Sequence, residues 1–117
     1  AAGALRSLRN CARFMLGVLE DFDPSRDAVP AEQLPELDRY ALHLARAFRA
    51  EAEGGFAAHR PRQALAAANR FASTEMSAFY CDVVKDRLYS AAPASPARRA
   101  AQTALWPCLG ALLEVLA

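Results

Sequence analysis

Apolar residues recur three and four positions apart along most of this chain, and the residues that favour strands are scarce. There is no isoleucine, and only five valines and two threonines stand against a large excess of alanine and leucine. Alanine and leucine enter helices at little cost, whereas β-branched side chains suit the pleated sheet. No segment keeps the alternation of a half-buried strand, so the chain is predicted to be all-α. Its 117 residues suit one domain with a sizeable core. A hydrophobic fraction of 54% with 23% charged residues sets it apart from disordered chains. Apolar runs fall well short of the roughly 20 residues that span a bilayer, so no membrane helix is expected. Arginines interrupt the opening stretch AAGALRSLRNCARF, which therefore lacks the order of a signal peptide.

Four helices are predicted. The first, from about Ala2 to Leu19, gathers Leu5, Leu8, Cys11, Ala12, Met15, Leu16, Val18 and Leu19 into one broad arc. Arg6, Arg9 and Arg13 form a narrow stripe beside that arc. The stretch DFDPSRDAVP then reads as an acidic, irregular connection, and Pro30 and Pro35 each stand where a helix can begin. A second helix is expected from Pro35 to Glu53, with Leu37, Tyr40, Ala41, Leu44 and Phe48 apolar and Gly54-Gly55 as its stop. A third, from Pro61 to Leu88, carries Leu65, Ala68, Ala72, Met76, Phe79 and Val83 at helical spacing, with Phe71, Tyr80 and Val84 widening the stripe. Ser95 and Pro96 open the last helix as N-cap and first residue, and Pro107 should kink it. Short connections make an up-down bundle the simplest arrangement. The first helix begins almost at once, and the apolar pattern of the last runs off at Ala117. Residues 1–117 are thus expected to be a single helical domain truncated at both ends.

The net charge of +1 conceals an uneven distribution. Residues 20–53 hold nine acids and four arginines, whereas residues 1–19 hold three arginines and no acid, and residues 54–117 hold seven bases and four acids. A basic face could form from the first helix and the second half. Lys85 is the only lysine among fourteen basic residues; arginine suits two-pronged phosphate binding, but the accompanying abundance of alanine favours a compositional bias as the explanation. From spacing alone, Arg6, Arg9 and Arg13 fit RNA phosphate contacts, or equally a solvated face or ion pairs to the acids of residues 20–38. Cys11, Cys81 and Cys108 are odd in number and widely spaced, with no metal-ligand spacing to one another or to His43 and His59, so reduced thiols and no metal site are expected. No catalytic residues are expected: Ser73 and Ser77 lack partners nearby in sequence, and Glu75, Asp82 and Asp86 suit pairing with Lys85 and Arg87 better than acid–base work. Phe14, Phe48, Phe71, Phe79, Tyr80 and Trp106 are assigned to packing.

The string LRNCARFMLGVLEDFDPSRDAVP resembles the opening of the anticodon-binding domain of class I isoleucyl-tRNA synthetases, where an RN..RF.L helix leads into DFDP..D.VP. ELDRYALH, EMSAFYCDVVKDRLY and SPARRAAQTAL match the same family in order, so the resemblance runs from about Arg6 to about Leu113. KDRLY followed by a short loop and RR..QT is its most specific part. The resemblance implies a helical bundle that follows a catalytic domain and docks on tRNA. By position, Arg9, Asn10, Arg13 and Phe14 match the first-helix motif, Lys85, Asp86, Arg87 and Tyr89 the third, and Arg98, Arg99 and Gln102 the fourth. The RNA-binding set is then Arg6, Arg9, Asn10, Arg13, Lys85, Arg87, Arg98 and Arg99, with Phe14 and Tyr89 for packing. Asn10, Asp86 and Gln102 fit buried interhelical links as well.

Leu5 and Ser7 replace the tyrosine and lysine commoner in the family, Pro107 is unexpected there, and residues 54–70 match poorly. The motifs HIGH and KMSKS are absent, as are an editing domain and a zinc module. No cofactor is expected in this segment; ATP with Mg would belong to the catalytic domain of the same parent chain, an isoleucine–tRNA ligase. The implied partners are tRNA(Ile) and that catalytic domain, with no DNA and no membrane, in a bacterial cytoplasm or a mitochondrial matrix. The competing expectation is a helical protein-interaction or scaffold domain without RNA contact, marked by an exposed apolar patch.

Overall fold

The computed structural model describes residues 2–116, which form helices and connecting turns with no strand among them. Helix α1 spans Ala2–Val18, α2 Pro24–Asp27, α3 Glu36–Ala57 and α4 Pro61–Arg70. A π-helical segment, Phe71–Tyr80, continues α4 and leads into α5 (Cys81–Val83) and α6 (Lys85–Tyr89); α7 spans Pro96–Leu116. Helix α3 packs against α4 and α7, while α1 lies against α7 and the π segment. The four predicted helical runs are therefore present. The expectation that the last helix runs past Ala117 lies outside the described residues.

Local chemistry explains most of the boundaries. Asp23 caps α2, its Oδ1 accepting from the Ser25 backbone N–H at 3.0 Å, while its own N–H donates to Asp27 Oδ2 at 2.9 Å. The acidic connection, expected to be irregular, thus contains one ordered helical turn. The carbonyl of Pro35 accepts from the N–H groups of Asp38 and Arg39, so α3 starts directly behind the proline. Ser95 Oγ accepts from Arg98 N–H at 3.2 Å and caps α7 as expected. Pro107 lies inside a helix that continues on both sides of it.

Two expectations about the middle of the chain are corrected. Gly54-Gly55 does not stop the second helix, which runs on to Ala57. The stop comes at His59, at φ 58°, where Arg60 N–H returns to the Gly55 carbonyl at 2.7 Å and His59 N–H to the Phe56 carbonyl at 3.1 Å. This is a Schellman closure with histidine in the left-handed position. Gly55 serves close approach instead: a Cβ there would lie 3.1 Å from Ala64 N and 3.2 Å from the Arg60 carbonyl oxygen.

The third run is not uniformly α-helical. Its π segment closes i→i+5 bonds, as from Cys81 N–H to the Met76 carbonyl. A wider coil turns less per residue, so a four-residue repeat can stay on one face. Ala68, Ala72, Met76, Tyr80, Val84 and Leu88 are accordingly all buried. Phe79 and Val83, expected on the apolar stripe, are instead rotated out and exposed; Leu65, in α4 ahead of the π segment, is exposed too.

The core is alanine-rich, which lets the helices approach closely, with larger side chains inserted at intervals. Phe48 and Phe71 stack with centroids 4.5 Å apart and planes 11° from parallel, joining α3 to the start of the π segment. Cys11, Cys81 and Cys108 are buried and form no disulfide; burial pushes the Cys81 thiol up to about 12.

Candidate nucleic-acid interface

Helix α1 is divided lengthwise. Leu8, Cys11, Ala12, Met15 and Val18 are buried, while Arg6, Arg9, Asn10 and Arg13 are exposed. Spacings of three and four keep the arginines in one row. Among the described residues no carboxylate lies within 4.0 Å of the charged groups of Arg6, Arg9, Arg13 or Lys85. The acids of residues 20–38 therefore do not neutralise the α1 stripe. Asp38 engages α6, and Asp21 and Asp27 engage α7.

A furrow runs along α1 opposite the end of the third helical run. Its upper part is lined by Asn10, Cys11, Phe14, Ser77, Cys81, Asp82 and Lys85, and its lower part by Arg13, Phe14, Gly17, Val18, Leu88, Tyr89 and Arg98. Phe14 lines both parts. Tyr89, assigned to packing from the sequence, is 62% exposed. Its ring meets Phe14 edge-on, with centroids 6.2 Å apart and an interplanar angle of 71°. The furrow thus offers an aromatic floor with Arg13 on one wall and Lys85, with the exposed Asp82 carboxylate, on the other. A positively bordered groove with an accessible aromatic face can hold a phosphate chain and an unstacked base.

The remaining predicted site residues occupy different surroundings. Nη1 of Arg87 donates to both oxygens of Asp38, at 3.0 and 2.8 Å, and Tyr80 Oη donates to the same carboxylate at 2.5 Å. Burial and the Asp38 carboxylate together push the Tyr80 phenol up, so it remains a donor. Arg98 grips Asp21 with two parallel bonds, at 2.7 and 2.9 Å, and also reaches the Leu88 and Pro93 carbonyls. Arg99 donates to the Asp21 carbonyl and to Gln102 Oε1, with Asp27 at 3.6 Å. Gln102 is fully buried and donates to the Val18 carbonyl and to Asp21, so it closes the end of α1. Asp86 is exposed and, among the described residues, pairs with no cation; the acid that holds Arg87 is Asp38.

Sequence reasoning did not place Asp21, Asp38 or Tyr80 at the site. A faint signal existed for Tyr80, since a tyrosine hydroxyl inside an apolar stripe requires a partner. Asp38 looked like an ordinary acid in the first turn of a helix. On the far flank of α1, Leu5, Ala12, Leu16 and Leu116 line a shallow apolar hollow bordered by Arg9 and Arg13.

Residues 38–117 match the family described as the anticodon-binding domain of tRNA ligase. The chain is 47% identical over 112 residues to isoleucine–tRNA ligase 1 of Burkholderia mallei, covering 96% of this chain and 12% of that protein. It is 45% identical over 116 residues to the isoleucine–tRNA ligase of a Synechococcus strain, covering 99% of this chain and 12% of the relative. The isoleucine–tRNA ligase of Desulforamulus reducens is 43% identical over 111 residues, again with 12% of its length matched. The chain therefore spans about an eighth of the length of the curated relatives it matches.

Proposed function

The chain belongs to the anticodon-binding-domain family of tRNA ligases, and on that premise we propose that it is the tRNA-positioning segment of an isoleucine–tRNA ligase. Arg6, Arg9, Arg13 and Lys85 contact phosphates of the anticodon stem of tRNA(Ile), Asn10 adds a polar contact, and the Phe14–Tyr89 pair receives an unstacked base. Arg98 borders the furrow with its guanidinium committed to Asp21, and Arg87 and Arg99 contribute through their ion pairs. The observation that carries this reading is the cationic edge beside the furrow: Arg6, Arg9, Arg13 and Lys85 are exposed, have no carboxylate within 4.0 Å among the described residues, and stand next to the Phe14–Tyr89 floor that Arg13 and Lys85 border.

The same reading assigns ATP, Mg and the ligation of isoleucine to the catalytic domain of the parent protein in the cytoplasm. The apolar hollow at Leu5, Leu16 and Leu116 suits packing by that polypeptide, since isolated domains rarely leave such patches uncovered. Among the described residues no helix is long and apolar enough to cross a membrane. The test is tRNA(Ile) binding by the full-length ligase with Arg6, Arg9 and Arg13 changed together to alanine. Affinity is expected to fall by about tenfold or more, since every 1.4 kcal/mol is a factor of ten. Unchanged affinity would favour a protein-interaction role for α1 instead.

A further inference from the structure

Helix α6 is only five residues long and follows Val84, whose φ of −90° and ψ of 3° distort the run, although Val84 N–H still donates to the Tyr80 carbonyl at 3.0 Å and its carbonyl accepts from Leu88 N–H at 3.2 Å. The direction of α6 beyond this distortion depends on tertiary contacts as well as on the run before it. Lys85 and Tyr89 stand four residues apart and share one face, the face that borders the furrow. Arg87 points to the other side of α6. There its guanidinium meets Asp38, whose side chain is 0% exposed, while the Arg87 side chain is 25% exposed. Tyr80, at the end of the π segment, completes the carboxylate's coordination. Three elements, α3, the π segment and α6, are thus pinned at a single buried carboxylate. Among the described residues no buried polar side-chain atom is left without a hydrogen-bond partner.

We propose that Arg87 is a positioning residue: held by Asp38 and Tyr80, it turns α6 so that Lys85 and Tyr89 face α1, and it touches no phosphate itself. The proposal rests on the RNA-binding reading above. It differs sharply from direct contact by Arg87. If Arg87 bound phosphate, Asp38 would compete for its charge, and neutralising Asp38 would leave tRNA affinity unchanged or raise it. If Arg87 positions α6, neutralising Asp38 lowers affinity.

The experiment measures tRNA(Ile) affinity and its salt dependence for the full-length ligase carrying Asp38→Asn, Tyr80→Phe, Arg87→Gln or Lys85→Ala, and Arg87→Gln combined with Lys85→Ala. Formation of isoleucyl-adenylate in the absence of tRNA reports that the catalytic domain is competent, and limited proteolysis with an unchanged helical circular-dichroism signal reports that the helical domain of each variant is folded. Asp38→Asn and Arg87→Gln are each expected to weaken binding at least as much as Lys85→Ala. The double variant should have the salt slope of Lys85→Ala alone, because Arg87 itself neutralises no phosphate. A further fall in slope of about one on adding Arg87→Gln, the signature of a second phosphate-binding cation, overturns the proposal. Equal or tighter binding by Asp38→Asn does so too. Tyr80→Phe removes only a hydroxyl; if Asp38→Asn does not fold, weaker binding by Tyr80→Phe supports the proposal and unchanged binding overturns it. Should neither Lys85→Ala nor the triple arginine variant weaken binding, the RNA-binding reading fails. If those weaken binding while Asp38→Asn does not, only the positioning role fails.

Discussion

Arg98 and Asp21 face each other through two parallel hydrogen bonds of 2.7 and 2.9 Å across 77 residues of chain, fastening the start of α7 to the end of α1. The Arg98 guanidinium holds the Asp21 carboxyl at about 2, below its ordinary 3.8, with Gln102 adding to the effect. A carboxyl whose pKa is lowered by folding stabilises the fold when ionised. That contribution is complete above pH ~4 and is lost as pH falls through about 2.

Replacing Asp21 with Asn should therefore cost about 1 kcal/mol at pH 7, a figure reduced for solvent screening of a partly exposed pair. The gap between the parent chain and the variant should close between pH ~4 and ~2. Urea unfolding of both proteins across that range checks this, and a gap that persists at pH 2 would contradict it.

The two adjacent glycines should respond in opposite directions. At Gly54 the space a methyl group would take is open, with no neighbouring atom within 4 Å, so Gly54→Ala should stabilise α3 by about 0.5–1 kcal/mol. Gly55→Ala should destabilise, because backbone atoms of Arg60 and Ala64 stand where its methyl would go. Denaturant midpoints of the two variants decide the matter.

The π segment makes a prediction that an ordinary α-helix would not. Phe71 is buried and stacked on Phe48, so Phe71→Ala should cost about 3–5 kcal/mol. Phe79, rotated to the surface, contacts Tyr40 edge-on, and Phe79→Ala should cost about 1 kcal/mol or less. Equal losses would mean that Phe79 is buried after all.

These cases show what the sequence could carry and what it could not. The all-α class and the helix starts at Pro35 and Ser95-Pro96 were legible because caps and propensities act within a few residues. The role of Gly55 was not, since it depends on the path of the chain at Arg60 and Ala64. The π segment was hidden for another reason: Leu65, Phe79 and Val83 fit a 3.6-residue repeat as well as Ala68, Met76 and Tyr80 fit a four-residue one. Packing against α1 and α3 chose the second. At the candidate site, the exposure of Arg6, Arg9 and Arg13 followed from spacing along one helix. The engagement of Arg87 with Asp38 and of Arg98 with Asp21 did not, because those partners lie 49 and 77 residues away.

The salt dependence of tRNA(Ile) binding by the full-length ligase bears most directly on the proposed furrow. Each cation that neutralises a phosphate releases counterions and steepens the fall of log affinity with log salt by roughly 0.7–0.9. With Arg6, Arg9, Arg13 and Lys85 all replaced by alanine, the slope should become shallower by about three. A slope equal to that of the parent protein would show that these four cations meet no phosphate.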